Sequence, residues 1–425
     1  MDGSSFADPG SNAMSTSATL ATPPPDHSMV VDPTTKPTAR LDSIDAYRGL
    51  VMFLMMAEVL RLSRVAELHP GSAVWEFLAH HQSHVPWIGG SLHDMIQPGF
   101  SFLVGVALPF SLASRAAKGQ SRGKMIAHAL WRSLVLILLG VFLRSMGRPM
   151  TRWTFEDTLS QIGMGYPFLF LLGWYSTRVR WMALAAILVG YWALFAAYPA
   201  PGPSFDYPAH GVPADWPHLM DGFQAHWNKN SNPAWAFDVW FLNLFPREQP
   251  FDNNGGGYAT LSFIPTLATM ILGLLAGETL RSDRSRWGKT RWLLVGGIIL
   301  TAAGWALGAA GICPVVKRIW TPSWVLYAGG ISFLFLAAFY AVMDVAGWKA
   351  WAFPLRVIGM NSIAAYCMAH LFDDFIVSSL QTHFGRDLFD AFGPSLQPIV
   401  RGAAILAAYW LVLFWMYRRK IFLKI

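Results

Sequence analysis

Met95-Ile96-Gln97-Pro98-Gly99-Phe100-Ser101-Phe102-Leu103-Val104-Gly105-Val106-Ala107-Leu108-Pro109-Phe110-Ser111-Leu112-Ala113-Ser114 runs for 20 residues without a charge. At a rise of about 1.5 Å per residue such a run crosses the roughly 30 Å hydrocarbon layer as a helix. Its two prolines and two glycines would interrupt a water-soluble helix. In a membrane they are tolerated where neighbouring helices satisfy the freed carbonyls, and the small residues let helices approach closely. Helix packing is the plain reading of these breakers, and a cofactor channel is the bolder one.

Outward from this run, nine more apolar stretches follow the same pattern, at 47–62, 126–146, 157–175, 180–198, 259–280, 291–311, 323–343, 352–371 and 396–417. The first is the weakest, because Glu58 and Arg61 fall within or beside it. The expected fold is all-α, a polytopic integral membrane protein with about ten transmembrane helices in one bundle. Composition agrees: 54% hydrophobic residues, 13% charged and 20 Trp exclude an ordinary water-soluble globule. Residues 1–40, dominated by Ser, Thr, Pro and Asp, have no apolar face to bury and read as a disordered cytoplasmic tail. They show no signal-peptide pattern. Residues 41–425 form one membrane domain with a long extracytoplasmic loop, 199–258. Cys313 and Cys367 provide neither a disulfide framework nor metal-ligand spacing, and no metal is expected.

The net charge of +7 reports topology rather than nucleic-acid binding. Basic clusters stand at 113–126 (Arg115, Lys118, Arg122, Lys124), at 281–291 and at the C-terminal tail. With alternating helices all three fall on one side, which the positive-inside rule makes the cytoplasm, with both termini there. In a bacterial cell this is the inner membrane. The segment around His84 and the 199–258 loop then face outward. Arg144, Arg148 and Arg152 in the 144–152 loop run against this assignment.

Several polar features require an explanation. Ser43 and Asp45 begin the first run as an ordinary helix start, and Asp45 stands one turn from Arg48. Just before the opening stretch, Ser83-His84-Val85-Pro86-Trp87-Ile88-Gly89-Gly90-Ser91-Leu92-His93-Asp94 holds a histidine at the mouth of the bundle. A loop histidine is commonly only a solvated side chain, and His80, His81 and His93 lie close in sequence. Held beside Pro86 and Trp87, however, an imidazole can act as general base or acyl-accepting nucleophile. Asp94, ten residues on, would fix its tautomer. Within the spans stand Gln161, Asn361, Ser362, Arg132 and Glu278. The amides can simply bond neighbouring helices, and Arg132 and Glu278 can snorkel to water. Loop 199–258 is acidic and aromatic, and Trp235–Phe245 reads as a short interfacial helix. Its composition suits both a carbohydrate site and a lid packed on the bundle.

These residues, taken in order, resemble the heparan-α-glucosaminide N-acetyltransferase family and its bacterial relatives. The motifs are Ser43-x-Asp45-x-x-Arg48-Gly49, His84-x-x-Trp87-x-Gly89 and Asp94-x-x-x-Pro98-x-Phe100-x-Phe102-x-x-Gly105. Trp131-Arg132-Ser133, Gln161-x-Gly163, Ile264-Pro265-Thr266, Lys317-x-x-Trp320-Thr321-x-Ser323 and Gly359-Met360-Asn361-Ser362-Ile363-x-x-Tyr366 follow. The resemblance runs from about Arg40 to the C-terminus. It implies transfer of an acetyl group from cytoplasmic acetyl-CoA to the amine of a glucosamine-type sugar on the far side.

The same resemblance makes His84 and Asp94 the catalytic pair. The expected substrate contacts are Trp87, Gln161, Asn361 and Ser362. Arg115, Lys118 and Arg132 are the residues expected to hold the CoA phosphates, although the first two are equally a topology signal. The lysosomal members carry an asparagine near the end of the first family helix, where this chain has Glu58-Val59, and their Gln-Arg-Leu-Gly motif reads Gln161-Ile162-Gly163. The expected partners are acetyl-CoA, an amino-sugar or glycan acceptor and the lipid bilayer, with a second copy of the chain as a homodimer.

A transporter or lipid-linked-sugar carrier is the alternative. Such folds interrupt helices in both halves, whereas here only the first half has a strong Pro/Gly interruption. The transferase expects a continuous cavity from the basic face to His84, and a plugged bundle between them would exclude it.

Overall fold

A backbone in lipid must satisfy its N–H and C=O groups within its own segment, which makes long apolar runs helical. Residues 41–423 of this computed structural model are described, and the tail expected at 1–40 lies outside them. Among the described residues there is no strand, only an isolated bridge between Ile88 and Val316.

Helix α1 (Asp42–Met56) leads into two short helices, α2 (Leu62–Leu68) and α3 (Ala73–His81). Then follow α4 (Ile96–Ala117), α5 (Arg122–Ser145), α6 (Thr158–Leu172) and α7 (Thr177–Ala197). The long loop carries α8 (Pro233–Phe241), and α9 (Phe263–Arg281), α10 (Arg286–Ala309) and α11 (Pro322–Phe339) return to the bundle. The chain ends with α12 (Phe353–Met360), α13 (Ser362–Leu371), α14 (Asp373–Phe384) and α15 (Gln397–Arg418).

Seven helical segments are long and apolar enough to cross a membrane: His93–Ala117, Arg122–Ser145, Thr177–Ala197, Thr260–Arg281, Arg286–Ala309, Pro322–Val345 and Gln397–Arg418. The expected ten are not all reached. Helices α1 and α6 have 15 residues each. The run at 352–371 is divided at Asn361, and α13 and α14 meet at a 66° bend, giving up to eight spans if that pair counts as one. The interruption expected in the first half also lies elsewhere. Despite Pro98 and Pro109, α4 is one continuous helix of 22 residues, and the breaks fall between Met360 and Asp373.

Helix α9 is the most buried span and α10 the least. Close approach explains the glycines of α4. A Cβ on Gly105 would stand 1.9 Å from the Met270 carbonyl oxygen, and one on Gly273 would stand 1.9 Å from that of Phe102. The two backbones touch there, as small-residue seams permit. Outer helices turn large apolar side chains outward, among them Leu138 and Phe142 of α5 and Ile298, Ile299 and Trp305 of α10. Exposed apolar surface on this scale belongs against lipid. The chain therefore reads as an integral membrane protein.

Side-chain bonds gather the two ends of the bundle. At one end Gln161 Nε2 donates to the Phe155 and Thr260 carbonyls, and Trp87 Nε1 donates to Trp227 of the long loop. At the other end Asp42 pairs with Lys349 and Arg356 at 3.0 and 2.9 Å. Glu278, expected to snorkel to water, instead pairs with the buried Arg180. The expected interfacial helix forms as α8 and a 3-10 turn over Leu242–Leu244, with Trp240 and Leu244 exposed.

Asp238 of α8 is buried, and its Oδ2 accepts the Thr260 N–H at 2.9 Å. Burial pushes its pKa from 3.8 up to about 7, partly offset by the Thr260 hydrogen bonds. The folded state thus holds this proton more tightly than the unfolded chain. Its contribution is complete below about pH 4 and is lost as pH rises to about 7. Thermal unfolding of Asp238→Asn in detergent is expected to show a flatter melting temperature across that window. An unchanged slope would contradict this origin.

Candidate active site

The segment 83–92 is held from three directions. Gly89 adopts φ +99° and donates its N–H to the Val315 carbonyl at 2.9 Å, beside the Ile88–Val316 bridge. A side chain is strained at such a φ, so glycine suits this turn. Arg318 donates to the Val85 and Gly256 carbonyls at 3.2 and 2.9 Å, tying the segment to the long loop. Gln82 closes the third side, donating to the Ala57 carbonyl at 2.6 Å and accepting the Leu62 N–H at 2.7 Å.

This frame places His84 Nδ1 2.8 Å from Asp94 Oδ1. Asp94 is buried, while the His84 side chain is 39% exposed. The other carboxylate oxygen, Oδ2, accepts the Val85 and Ser91 N–H groups at 3.1 and 3.0 Å and the Ser91 hydroxyl at 3.1 Å. Lys317, itself buried, donates to Oδ1 at 3.0 Å and stands 3.1 Å from His84 Nδ1. An ammonium only donates and a carboxylate only accepts. Were Nδ1 unprotonated, two acceptors would face each other at 2.8 Å. A proton on Nδ1 donated to Asp94 satisfies that contact and leaves Nε2 as the open ring nitrogen. No described residue bonds Nε2. His93 is buried, with its ring centroid 4.5 Å from that of His84.

Lys317 and His93 were not among the expected site residues. Lys317 stood inside a quoted motif and was a basic residue at the poorly charged end of the bundle, which was its one signal. Nothing in the spacing joined it to Asp94, 223 positions away.

The remaining expected residues divide into two groups. A cavity of about 490 Å³ runs along α4 from Phe100 to Arg115, lined also by Arg48, His128, Arg132 and Ser362. Arg115 bonds His128 at 3.2 Å, and the Arg132 guanidinium lies 4.6 Å over the Tyr166 ring. Expected residues Arg115, Arg132 and Ser362 therefore share one basic chamber. Lys118 is exposed beyond the end of α4 and does not line it.

Trp87 is fully buried and edge-on to Trp216, an anchor for the long loop rather than a free face. Gln161 donates through Nε2 to backbone carbonyls, while its buried Oε1 has no partner among the described residues. Asn361 donates to Ile421 and accepts from Leu423, holding the C-terminal segment at the helix break. These three side chains are not brought to His84. The chamber lining reaches Phe100 at its upper end and includes neither His84 nor Asp94. Gly99 is closed against α1, where an added Cβ would lie 2.9 Å from Val51 and 3.5 Å from the Tyr47 hydroxyl.

No family profile matches the chain. Among curated proteins, it is 24% identical to heparan-alpha-glucosaminide N-acetyltransferase of Homo sapiens over 91% of its own length. Its identity to the Mus musculus protein of that name is 23%, again over 91%. The alignment spans 60% of each relative's length. The homodimer expectation gains no support from these similarities. Over nearly its whole length the chain is thus similar to the heparan-alpha-glucosaminide N-acetyltransferases of two mammals.

Proposed function

We propose that the chain is a transmembrane acyltransferase that moves an acetyl group from cytoplasmic acetyl-CoA to the amine of an amino sugar on the extracytoplasmic side. The observation that carries this reading is the His84–Asp94–Lys317 cluster at one end of α4, with the basic chamber at the other. Asp94 and Arg115 are 21 positions apart, about 30 Å along a helix, the thickness of the hydrocarbon layer. Guanidinium groups suit phosphates, so Arg115 and Arg132 would receive the CoA end and the apolar wall of α4 would carry the acyl arm.

His84 Nε2 is the reacting atom. As a base it takes a proton from the acceptor amine while nitrogen attacks the thioester carbonyl and the thiolate leaves. As a nucleophile it bonds to the acetyl carbon first while the C–S bond breaks and the CoA thiolate leaves, and the amine then displaces the imidazole and gives up a proton. In either case Asp94 stabilises the imidazole as positive charge develops on it. The reading requires a path for the acyl arm from the end of the chamber at Phe100 to His84.

The breaks at Asn361 and Phe372 favour the carrier alternative, since interrupted helices mark many transporters. One experiment separates the two. Protein is reconstituted in vesicles with labelled acetyl-CoA on one side and a panel of amino sugars on the other. The expected product is an N-acetylated sugar, identified by mass. Passage of unmodified sugar without acetylation would establish the carrier instead.

A further inference from the structure

The three arginines that oppose the charge topology, Arg144, Arg148 and Arg152, lie at the same end of the bundle as His84. Arg144 is explained locally, since its Nε donates to Asp157 at 3.1 Å. No ion pair among the described residues holds Arg148 or Arg152. Both are exposed, and with Arg247 of the long loop they line a cleft of about 320 Å³. Thr151 and Gln249 add neutral donors, and Glu248 is the one carboxylate in the lining.

The cleft is built rather than accidental. Arg247 donates to the Leu242 carbonyl at 2.6 Å and also to that of Trp153, and its guanidinium lies 5.3 Å over the Phe251 ring. Trp153 stacks on Phe245 at 5.3 Å. The Arg152 N–H is fixed by the Ser145 hydroxyl at 2.9 Å. Burial, and then the charge of Arg152, pushes the Arg247 pKa down. The two cations therefore repel, an effect on Arg247 that the carboxylates of Glu156 and Asp238 oppose. Glu156 couples to both, but burial raises its own pKa, which weakens it as a counter-ion.

We propose that this cleft is an oxyanion site, taking a phosphate or sulfate ester group on the face of the protein that carries His84. Arg148 and Arg152, with the part of Arg247 not bonded to the Leu242 and Trp153 carbonyls, match the multidentate demand of such anions. Binding relieves the Arg152–Arg247 repulsion, which explains why positive charge is kept where topology disfavours it. The group can belong to a lipid head or to a soluble ester, and the chemistry of recognition is the same.

The test uses the full chain in phosphatidylcholine nanodiscs. Its melting temperature is followed against inorganic phosphate, with potassium chloride at matched ionic strength as control, and again in discs containing phosphatidylglycerol. Protection by phosphate beyond chloride identifies a soluble ester site. Protection by phosphatidylglycerol alone identifies a lipid head. In both cases the R148Q/R152Q variant is expected to weaken the apparent affinity by about tenfold or more, as loss of charge-assisted hydrogen bonds implies. No protection in either arm, or an undiminished response in the double variant, overturns the proposal. If that variant does not fold, the single R148Q change stands in under the same criterion.

Discussion

His84→Ala is expected to lower acetyl transfer by about 10²–10⁴-fold, the range that a positioned acid–base group contributes. Folding should be nearly unchanged, because the side chain is 39% exposed and its loss removes little packing. The measurement is turnover of labelled acetyl-CoA by reconstituted protein, with the melting temperature as control. His84→Asn separates bulk from chemistry, since it keeps a polar side chain with no basic ring nitrogen. A variant that retains full transfer and a wild-type melting temperature would remove His84 from the mechanism. A variant that loses both would point to a structural role.

Asp94→Asn is expected to have an effect of comparable size, and it divides into two parts. The amide nitrogen can donate to His84 Nδ1, which would move the ring proton to Nε2 and remove the reactive lone pair. In a histidine–carboxylate pair this change of tautomer costs about 10⁴ in turnover. The second part is stability. Lys317 would lose its carboxylate while still buried, and breaking a buried pair costs about 3–5 kcal/mol. Adding Lys317→Met to Asp94→Asn is expected to restore much of the melting temperature and none of the activity. If the double variant were as unstable as the single one, Lys317 would not be the partner that matters. If it recovered transfer, the tautomer argument would fail.

Much of the helical architecture was legible from residue order. Lipid allows few solutions, and an uncharged run such as 95–114 has only the helix open to it. Span counting was less secure where polarity enters a run. Glu58 and Arg61 follow an α1 that stops at Met56, and Asn361 divides what hydropathy reads as one helix. The glycines of α4 pack on the backbone of α9, as their plain reading anticipated, and the helix runs unbroken through Pro98 and Pro109.

The candidate site follows the same division. His84 and Asp94 are ten positions apart, near enough for a turn to join them, so their pairing could be anticipated from chemistry. Trp87, Gln161 and Asn361 also stood out as polar or aromatic residues. Residue type does not reveal whether such a group faces a substrate or a neighbouring carbonyl, and here the N–H groups of all three donate to backbone carbonyls. Local order therefore determined the membrane character, the helices and the histidine–aspartate pair, since these depend on contacts within a few turns. Tertiary folding alone brought Lys317 to Asp94, gathered Arg115, Arg132 and Ser362 into one chamber and joined Arg247 to Arg148 and Arg152. Those contacts arise from helix packing and loop closure over tens to hundreds of positions, for which no periodicity in the chain provides a signal.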